Sequence, residues 1–201
     1  MANIAKISLN DEGVGLFEKV VFTIKNMENL LDKLAVMNHI NEPKKFGTID
    51  LVQLTAKLRS RFSDEIEQIN IQYHTTIPDD IEFKSYPFVV ELILYNLLEN
   101  AFFFCKFTRG HSPQVDLVVL RDQDDNLCIT IRDNGYGVHP DYYEKIWDMF
   151  SIANDQSQGN GLGLYITKKA IDSLNGTITL DTKYGKYCEF KILLPTLTPN
   201  S

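Results

Sequence analysis

Residues 158–166, QGNGLGLYI, place Gly159, Gly161 and Gly163 within five positions and run straight into an amphipathic segment. Backbone amides at such a helix mouth have no intrahelical partner and sit at the positive end of the helix dipole, which favours an anion such as a polyphosphate. The spacing is G-x-G-x-G. It matches neither the G-x-G-x-x-G of a dinucleotide fold nor the G-K-[ST] ending of a P-loop, so both of those architectures are disfavoured. Leu162, Ile166, Ala170 and Leu174 continue as a core-facing stripe, which counts against a merely flexible loop.

Any phosphate bound by this chain must be gripped locally. With 20 basic and 27 acidic side chains the formal charge is -7, so a general electrostatic hold on a nucleic-acid backbone has little support and no nucleic-acid partner is expected. The 201 residues, 44% of them apolar, suit one ordinary domain with a short appendage. Cys105, Cys128 and Cys188 are widely spaced, odd in number and form no CxxC pair, the pattern of reduced thiols in a cytoplasmic setting. No apolar run approaches the roughly 18 residues of a membrane span, and the N-terminus carries no signal-peptide pattern. The expectation is a soluble cytoplasmic chain with no membrane contact of its own, compatible with a membrane-anchored parent.

Leu16, Val20, Ile24, Met27, Leu30, Leu31, Leu34 and Met37 recur at helical spacing, which predicts a long amphipathic helix over about 14–40 that Pro43 and Gly47 end. Its stripe must be buried against its own domain or against another copy of itself. Leu51, Leu54, Leu58 and Phe62 predict a second helix reaching about residue 68. INIQYH and IEFK read as strands, and Pro87 opens a helix through FVVELILYNLLENAFFFC. VDLVVL and LCITIR are strands around the acidic turn RDQDDN. There Asp122, Asp124 and Asn126 imitate EF-hand spacing, but Leu127 replaces the required glycine, so a solvated hairpin is expected. A short helix from Pro140 to about Phe150, a polar loop to Gly159, a helix from Gly161 to Leu174, and the strands TITL and CEFKILL complete the chain. The mixed order predicts an α+β protein, a two-layer α/β sandwich with a mixed sheet covered by about three helices.

Three stretches carry chemistry together. In DNGYG, 133–137, a strand ends in an aspartate followed by glycines at alternate positions, which lets backbone turn tightly beside a ligand and leaves Asp133 to accept from an exocyclic amine such as that of adenine. On the helix from Pro87, Asn96 and Asn100 fall at i and i+4, on one face of an otherwise apolar run where an amide needs a partner. A neutral amide oxygen suits Mg²⁺, which takes hard oxygens and keeps waters and substrate phosphates beside few protein ligands. GNGLGL, 159–164, is the phosphate-binding member of the set.

The ordered set NLLENA, IRDNGYGV, IWDMF and GNGLGLYITKKAI closely resembles the N, G1, F and G2 boxes of the sensor histidine kinase ATPase domain, in the GHKL superfamily with its Bergerat-type fold. The resemblance covers roughly residues 50–195 and divides the chain into a hairpin remnant over 1–45, an ATP-binding catalytic domain over 46–196 and a tail over 197–201. MENLLDKLAVMNHI resembles the end of the second helix of the dimerisation and phosphoacceptor hairpin. The resemblance implies that Asp133 receives the adenine amine, Gly135 and Gly137 shape the purine pocket, and Asn100 ligates Mg²⁺ while Asn96 supports the phosphates. Gly159, Gly161, Leu162 and Gly163 would hold the phosphate chain, and Phe150 would begin a mobile lid reaching Gly159. The implied chemistry is γ-phosphoryl transfer from MgATP to a histidine, in a homodimer joined through the N-terminal helix and serving the receiver domain of a response regulator.

Departures bear on that chemistry. His39, His74, His111 and His139 are the only histidines, and none opens the H-[DE]-x-x-[RK] segment of the family, so this chain is expected to have no catalytic phosphoacceptor of its own and to be an incomplete protein histidine kinase. Phe103 and Ile152 stand where family members often carry cations, each loss weakening nucleotide binding by about 1–3 kcal/mol unless Lys106 or Arg109 reaches in. Phe103 and Phe104 either wall the purine or belong to the core. A non-catalytic nucleotide-binding module and another GHKL enzyme remain as alternatives. A gyrase-type hydrolase is disfavoured, because Asn96 stands where those enzymes carry a catalytic glutamate.

Overall fold

The computed structural model describes residues 45–108, 110–152 and 160–196, together with helical positions 16, 17, 20, 21, 24, 27, 31, 35–37 and 40. In chain order the elements are β1 (Gly47–Ile49), α1 (Leu51–Arg61), α2 (Ser63–Gln68), β2 (Gln72–Thr76), β3 (Phe83–Ser85), α3 (Pro87–Cys105), β4 (Gln114–Arg121) and β5 (Leu127–Asp133). Then come α4 (Gly163–Ser173), β6 (Thr177–Lys183) and β7 (Tyr187–Leu194). Five strands form one sheet in the order β2-β4-β5-β7-β6, and β1 pairs separately with β3. Only the β2–β4 pairing in the large sheet is parallel. The α+β, mixed-sheet architecture expected from the order of elements is what the chain adopts.

Alternation along the strands builds the core. Val115, Leu117 and Val119 of β4, Leu127, Ile129 and Ile131 of β5, and Phe190, Ile192 and Leu194 of β7 are buried on one sheet face. Against that face lie α3 and α4, which also pack on each other. Helix α3 buries Val89, Val90, Ile93, Leu94, Leu97, Leu98, Ala101 and Phe102, and only Glu91 and Glu99 are charged along its 19 residues. By length and composition this segment, and no other among the described residues, could cross a membrane, contrary to the expectation that no apolar run comes close. Its burial inside the fold is the physical reason for that composition.

Two elements differ from expectation. The helix expected over 51–68 breaks at Phe62, whose backbone leaves helical geometry while its amide donates to Leu58 and Arg59. Phe62 is buried, with its ring 5.2 Å from Tyr95 and 5.1 Å from Phe102, so an aromatic cluster outweighs helical continuity. Instead of one helix from Pro140, there are two 3₁₀ turns, Pro140–Tyr142 and Lys145–Trp147. Ile146 is the one side chain there that reaches the core fully, so no stripe exists to support a longer helix. The acidic turn 122–126 is a self-contained hairpin turn, with the Asp122 carboxylate accepting from the amides of Asp124 and Asn126.

At the N-terminal end Leu16, Phe17, Val20, Ile24, Met27 and Leu31 are exposed, whereas Ile40 joins the core. The segment 153–159, with Gly159, and also Arg109 and the tail 197–201, lie outside the described residues.

Replacing Phe62 by Ala should lower stability by roughly 3–5 kcal/mol, because it empties the joint between α1, α2 and α3. Equilibrium denaturation by urea measures it.

Candidate nucleotide site

Strand β5 ends at Asp133, and the chain turns away at once because Gly135 passes against the last turn of α3. A Cβ on Gly135 would stand 2.3 Å from the Phe104 carbonyl oxygen, so only glycine permits the approach. Asn134 ties the same turn to the start of β4: its Oδ1 accepts from the Gln114 amide at 2.8 Å and its Nδ2 donates to the Ser112 carbonyl at 2.8 Å. Beyond Gly137 the loop meets the β6–β7 hairpin, where the Gly185 amide donates to the Tyr136 carbonyl and the Val138 amide donates to Thr182 Oγ1.

The hollow enclosed by these loops, α3 and α4 has a volume of about 460 Å³, within the range of small-molecule sites. Asp133 is 4% exposed on its wall. Its Oδ1 accepts from the Gly135 amide at 2.9 Å. Burial pushes its carboxyl up to about 7, against the lowering effect of the Gly135 amide and the Arg132 charge. Burial and the neighbouring Asp133 carboxylate also raise the Cys188 thiol on the same wall, keeping it protonated.

At the same hollow, α4 begins without a capping side chain. Its first residues Gly163 and Leu164 line the hollow, so their amides are available to an anion. Asn96 is buried but is not part of the lining. Its Nδ2 donates to the Gly163 carbonyl at 3.4 Å, where Thr167 Oγ1 also donates at 2.9 Å. The amide found odd in an apolar run is therefore a tie between α3 and the start of α4. Asn100, one turn further on, does line the hollow, and its amide has no hydrogen-bond partner among the described residues.

Gly161 adopts φ +68°, and a Cβ there would lie 2.6 Å from the Phe150 carbonyl carbon. The Phe150 amide donates to the Gly161 carbonyl at 3.0 Å, pinching together the two ends of the segment 151–160. Phe150 itself has φ +64° and an exposed ring, and Leu162 is wholly buried in the core. Both belong to the frame around the hollow, and neither lines it.

Of the sequence candidates, Asn100, Asp133, Gly137, Gly161 and Gly163 meet at one hollow. Phe104 walls it, while Phe103 lies outside the lining with the Lys106 ammonium 4.6 Å from its ring centre. Ile152 lines it, and no Lys or Arg does so among the described residues. Sequence reasoning passed over Glu99 and an aromatic rim of Tyr136, His139, Tyr142 and Tyr184. The hydroxyls of Tyr136 and Tyr184 are 2.6 Å apart. Their 48-residue separation hides the pair from any local pattern, whereas Glu99 was visible beside Asn100.

The donor set fits a magnesium nucleotide. A buried carboxylate suits an exocyclic amine, uncapped amides suit phosphates, and an unengaged amide oxygen suits a hard cation. Among the described residues no three His, Cys, Asp or Glu side chains are grouped to hold a metal alone, as befits a cation that shares its ligands with phosphates.

Residues 87–198 match the family model described as Histidine kinase-, DNA gyrase B-, and HSP90-like ATPase, and the chain belongs to that family. Within it, the chain is of the sensor histidine kinase type. It is 26% identical over 88% of its length to a probable C4-dicarboxylate sensor kinase of Bacillus subtilis, and 30% identical over 88% to the sensor histidine kinase TmoS of Ectopseudomonas mendocina. The chain spans 39% and 18%, respectively, of those relatives. The Acinetobacter baumannii histidine kinase AdeS shares the fold with TM-score 0.73 at 16% identity, over 96% of this chain and 89% of that one. A nucleotide-free catalytic domain of histidine kinase ThkA does so with TM-score 0.64 at 21% identity, over 76% and 98%.

Asp133→Asn should separate stability from binding. The folded chain holds the Asp133 proton up to about 7 against an ordinary value of 3.8, so stability falls as pH rises between those values and the whole cost is present above them. The Asn variant should lose that slope and gain roughly 1–3 kcal/mol at pH 8, measured by thermal unfolding across pH.

Proposed function

We propose that this chain is the ATP-binding catalytic unit of a two-component sensor histidine kinase. In this reading it presents the γ-phosphoryl of MgATP to a histidine of the dimerisation hairpin other than His39, His74, His111 and His139. The supporting observation is the meeting of Asp133, Asn100 and the uncapped start of α4 at one hollow. Asp133 would accept the adenine amine, with Gly135 and Gly137 setting the wall around the base. Asn100 would hold Mg²⁺ by its amide oxygen, and the amides of Gly159, Gly161 and Gly163 would hold the phosphates, while the Leu162 amide donates to Asn160 Oδ1 at 3.3 Å and keeps the loop in shape. Asn96 serves that loop by fixing Gly163, and Phe150 starts the lid. Bound MgATP supplies the transferable phosphoryl group, and the protein supplies position and charge stabilisation.

Residues 1–45 would be part of the dimerisation hairpin. Leu16, Val20, Ile24, Met27 and Leu31, all exposed, would pack against a second copy in the full-length parent, which would pass phosphate to a receiver domain at the cytoplasmic side. The lining, which holds neither Lys nor Arg among the described residues, favours a second reading: a nucleotide-binding module that has lost transfer.

One experiment separates the two. With γ-labelled ATP, Mg²⁺ and a separately supplied phosphoacceptor hairpin, label should reach the hairpin histidine and not this chain. Tight MgATP binding without transfer would favour the module, and stable phosphohistidine on this chain would contradict both. Calorimetry should show binding abolished in Asp133→Asn. For the native chain it should show binding that tightens as pH rises through about 7, because an amine donor favours the ionised carboxylate.

A further inference from the structure

Glu99 is a charged residue of the hollow that the nucleotide reading leaves without a role. It precedes Asn100 on α3 and lines the same hollow. Its Oε1 accepts from the Tyr95 hydroxyl at 3.0 Å. The Tyr95 ring is held in turn, stacked on Phe62 at 5.2 Å and 22°, with the Arg61 guanidinium 4.3 Å from its centre. Burial first, and then the Glu99 carboxylate, push the Tyr95 hydroxyl up to about 12, so it remains a hydrogen-bond donor across physiological pH. A charged side chain at a half-buried helix position would ordinarily turn toward water. Here an aromatic clamp reaching from the α1–α2 joint holds it at the hollow.

The charge of the lining gives this placement its meaning. Its carboxylates are Glu99, Asp133 and Asp141, with no Lys or Arg among the described lining residues to offset them. Asp133 is tied to the Gly135 amide, and Asp141 lies 3.4 Å from the His139 ring on the 3₁₀ turn. Glu99 is the acid next to the amide of Asn100. A phosphate chain drawn to the start of α4 would be repelled by that carboxylate in so confined a space. A divalent cation between them reverses the sign, because carboxylate, amide and phosphate oxygens are then all ligands of one hard ion.

Building on the nucleotide reading, we propose that Glu99 joins Asn100 in holding the divalent cation that accompanies the nucleotide, and that Tyr95 is the positioning residue for Glu99. The aromatic clamp thus connects the α1–α2 joint to the cation, and the cation held by the carboxylate supplies the positive charge that Phe103 and Ile152 do not provide.

The test measures ATP binding by calorimetry over a Mg²⁺ series for the native chain and for Glu99→Gln, Glu99→Asp and Tyr95→Phe, with adenosine as a phosphate-free probe. Glu99→Gln should raise the Mg²⁺ needed for half-maximal ATP binding at least about tenfold, Glu99→Asp should restore part of it, and Tyr95→Phe should shift it severalfold in the same direction. An unchanged Mg²⁺ midpoint in Glu99→Gln, or tighter ATP binding at every Mg²⁺ concentration, overturns the proposal and leaves the nucleotide reading intact. Loss of adenosine binding in step with ATP binding also overturns it, since Glu99 would then be shaping the base pocket. If Tyr95→Phe leaves the midpoint in place, the positioning role fails. Absence of Mg²⁺-dependent ATP binding in the native chain defeats the nucleotide reading itself.

Discussion

Burial of α3 is the constraint on which everything else rests. The helix touches β4 and β5 of the sheet, the small β1–β3 sheet and α4, so it can be apolar on nearly every side. Each polar residue on it is consequently exceptional and has a definite place. Asn96 ties it to the first turn of α4, Asn100 and Glu99 face the hollow, and Tyr95 joins Glu99 to the aromatic joint at Phe62. Because the core fixes the helix, Asn100 and Glu99 are held at the hollow without added ordering cost when a ligand arrives.

The rest of the hollow is loop, and its shape comes from close approach rather than from side-chain bulk. Gly135 lets the β5 turn meet α3, and Gly161 lets the lid ends meet at Phe150. Asp133 pays the cost of this enclosure, since removing water raises its affinity for a proton. A buried acid of this kind destabilises the fold near neutral pH, and a hydrogen-bond donor on a ligand relieves that cost. The site is therefore built from strain and desolvation on the protein side that binding can offset.

Much of this was legible along the chain. The four boxes stand in order, the strand pattern gives the mixed sheet, and Asp133, Gly137, Asn100, Gly161 and Gly163 are all residues that a sequence reader would choose. Asn96 was also legible as an amide requiring a partner, but not as one satisfied by Gly163, 67 residues away. The break at Phe62 was not readable, because helical spacing continues through it and only the rings of Tyr95 and Phe102 stop it. The apolar length of α3 is interrupted along the chain by two glutamates, and the fold gives each a place, Glu91 paired with Lys57 and Glu99 on the wall of the hollow.

By itself the sequence determined the family and the inventory of the site, since glycine spacing, strand alternation and an isolated carboxylate are local properties of a chain. Only the tertiary structure decided how that inventory is spent. It put Tyr136 beside Tyr184, kept Lys106 out of the lining, drew Asn96 into a helix tie and clamped Glu99 beside Asn100. Those outcomes depend on which surfaces meet when α3 packs between sheet and α4, and no pattern along the backbone encodes a distance across a core.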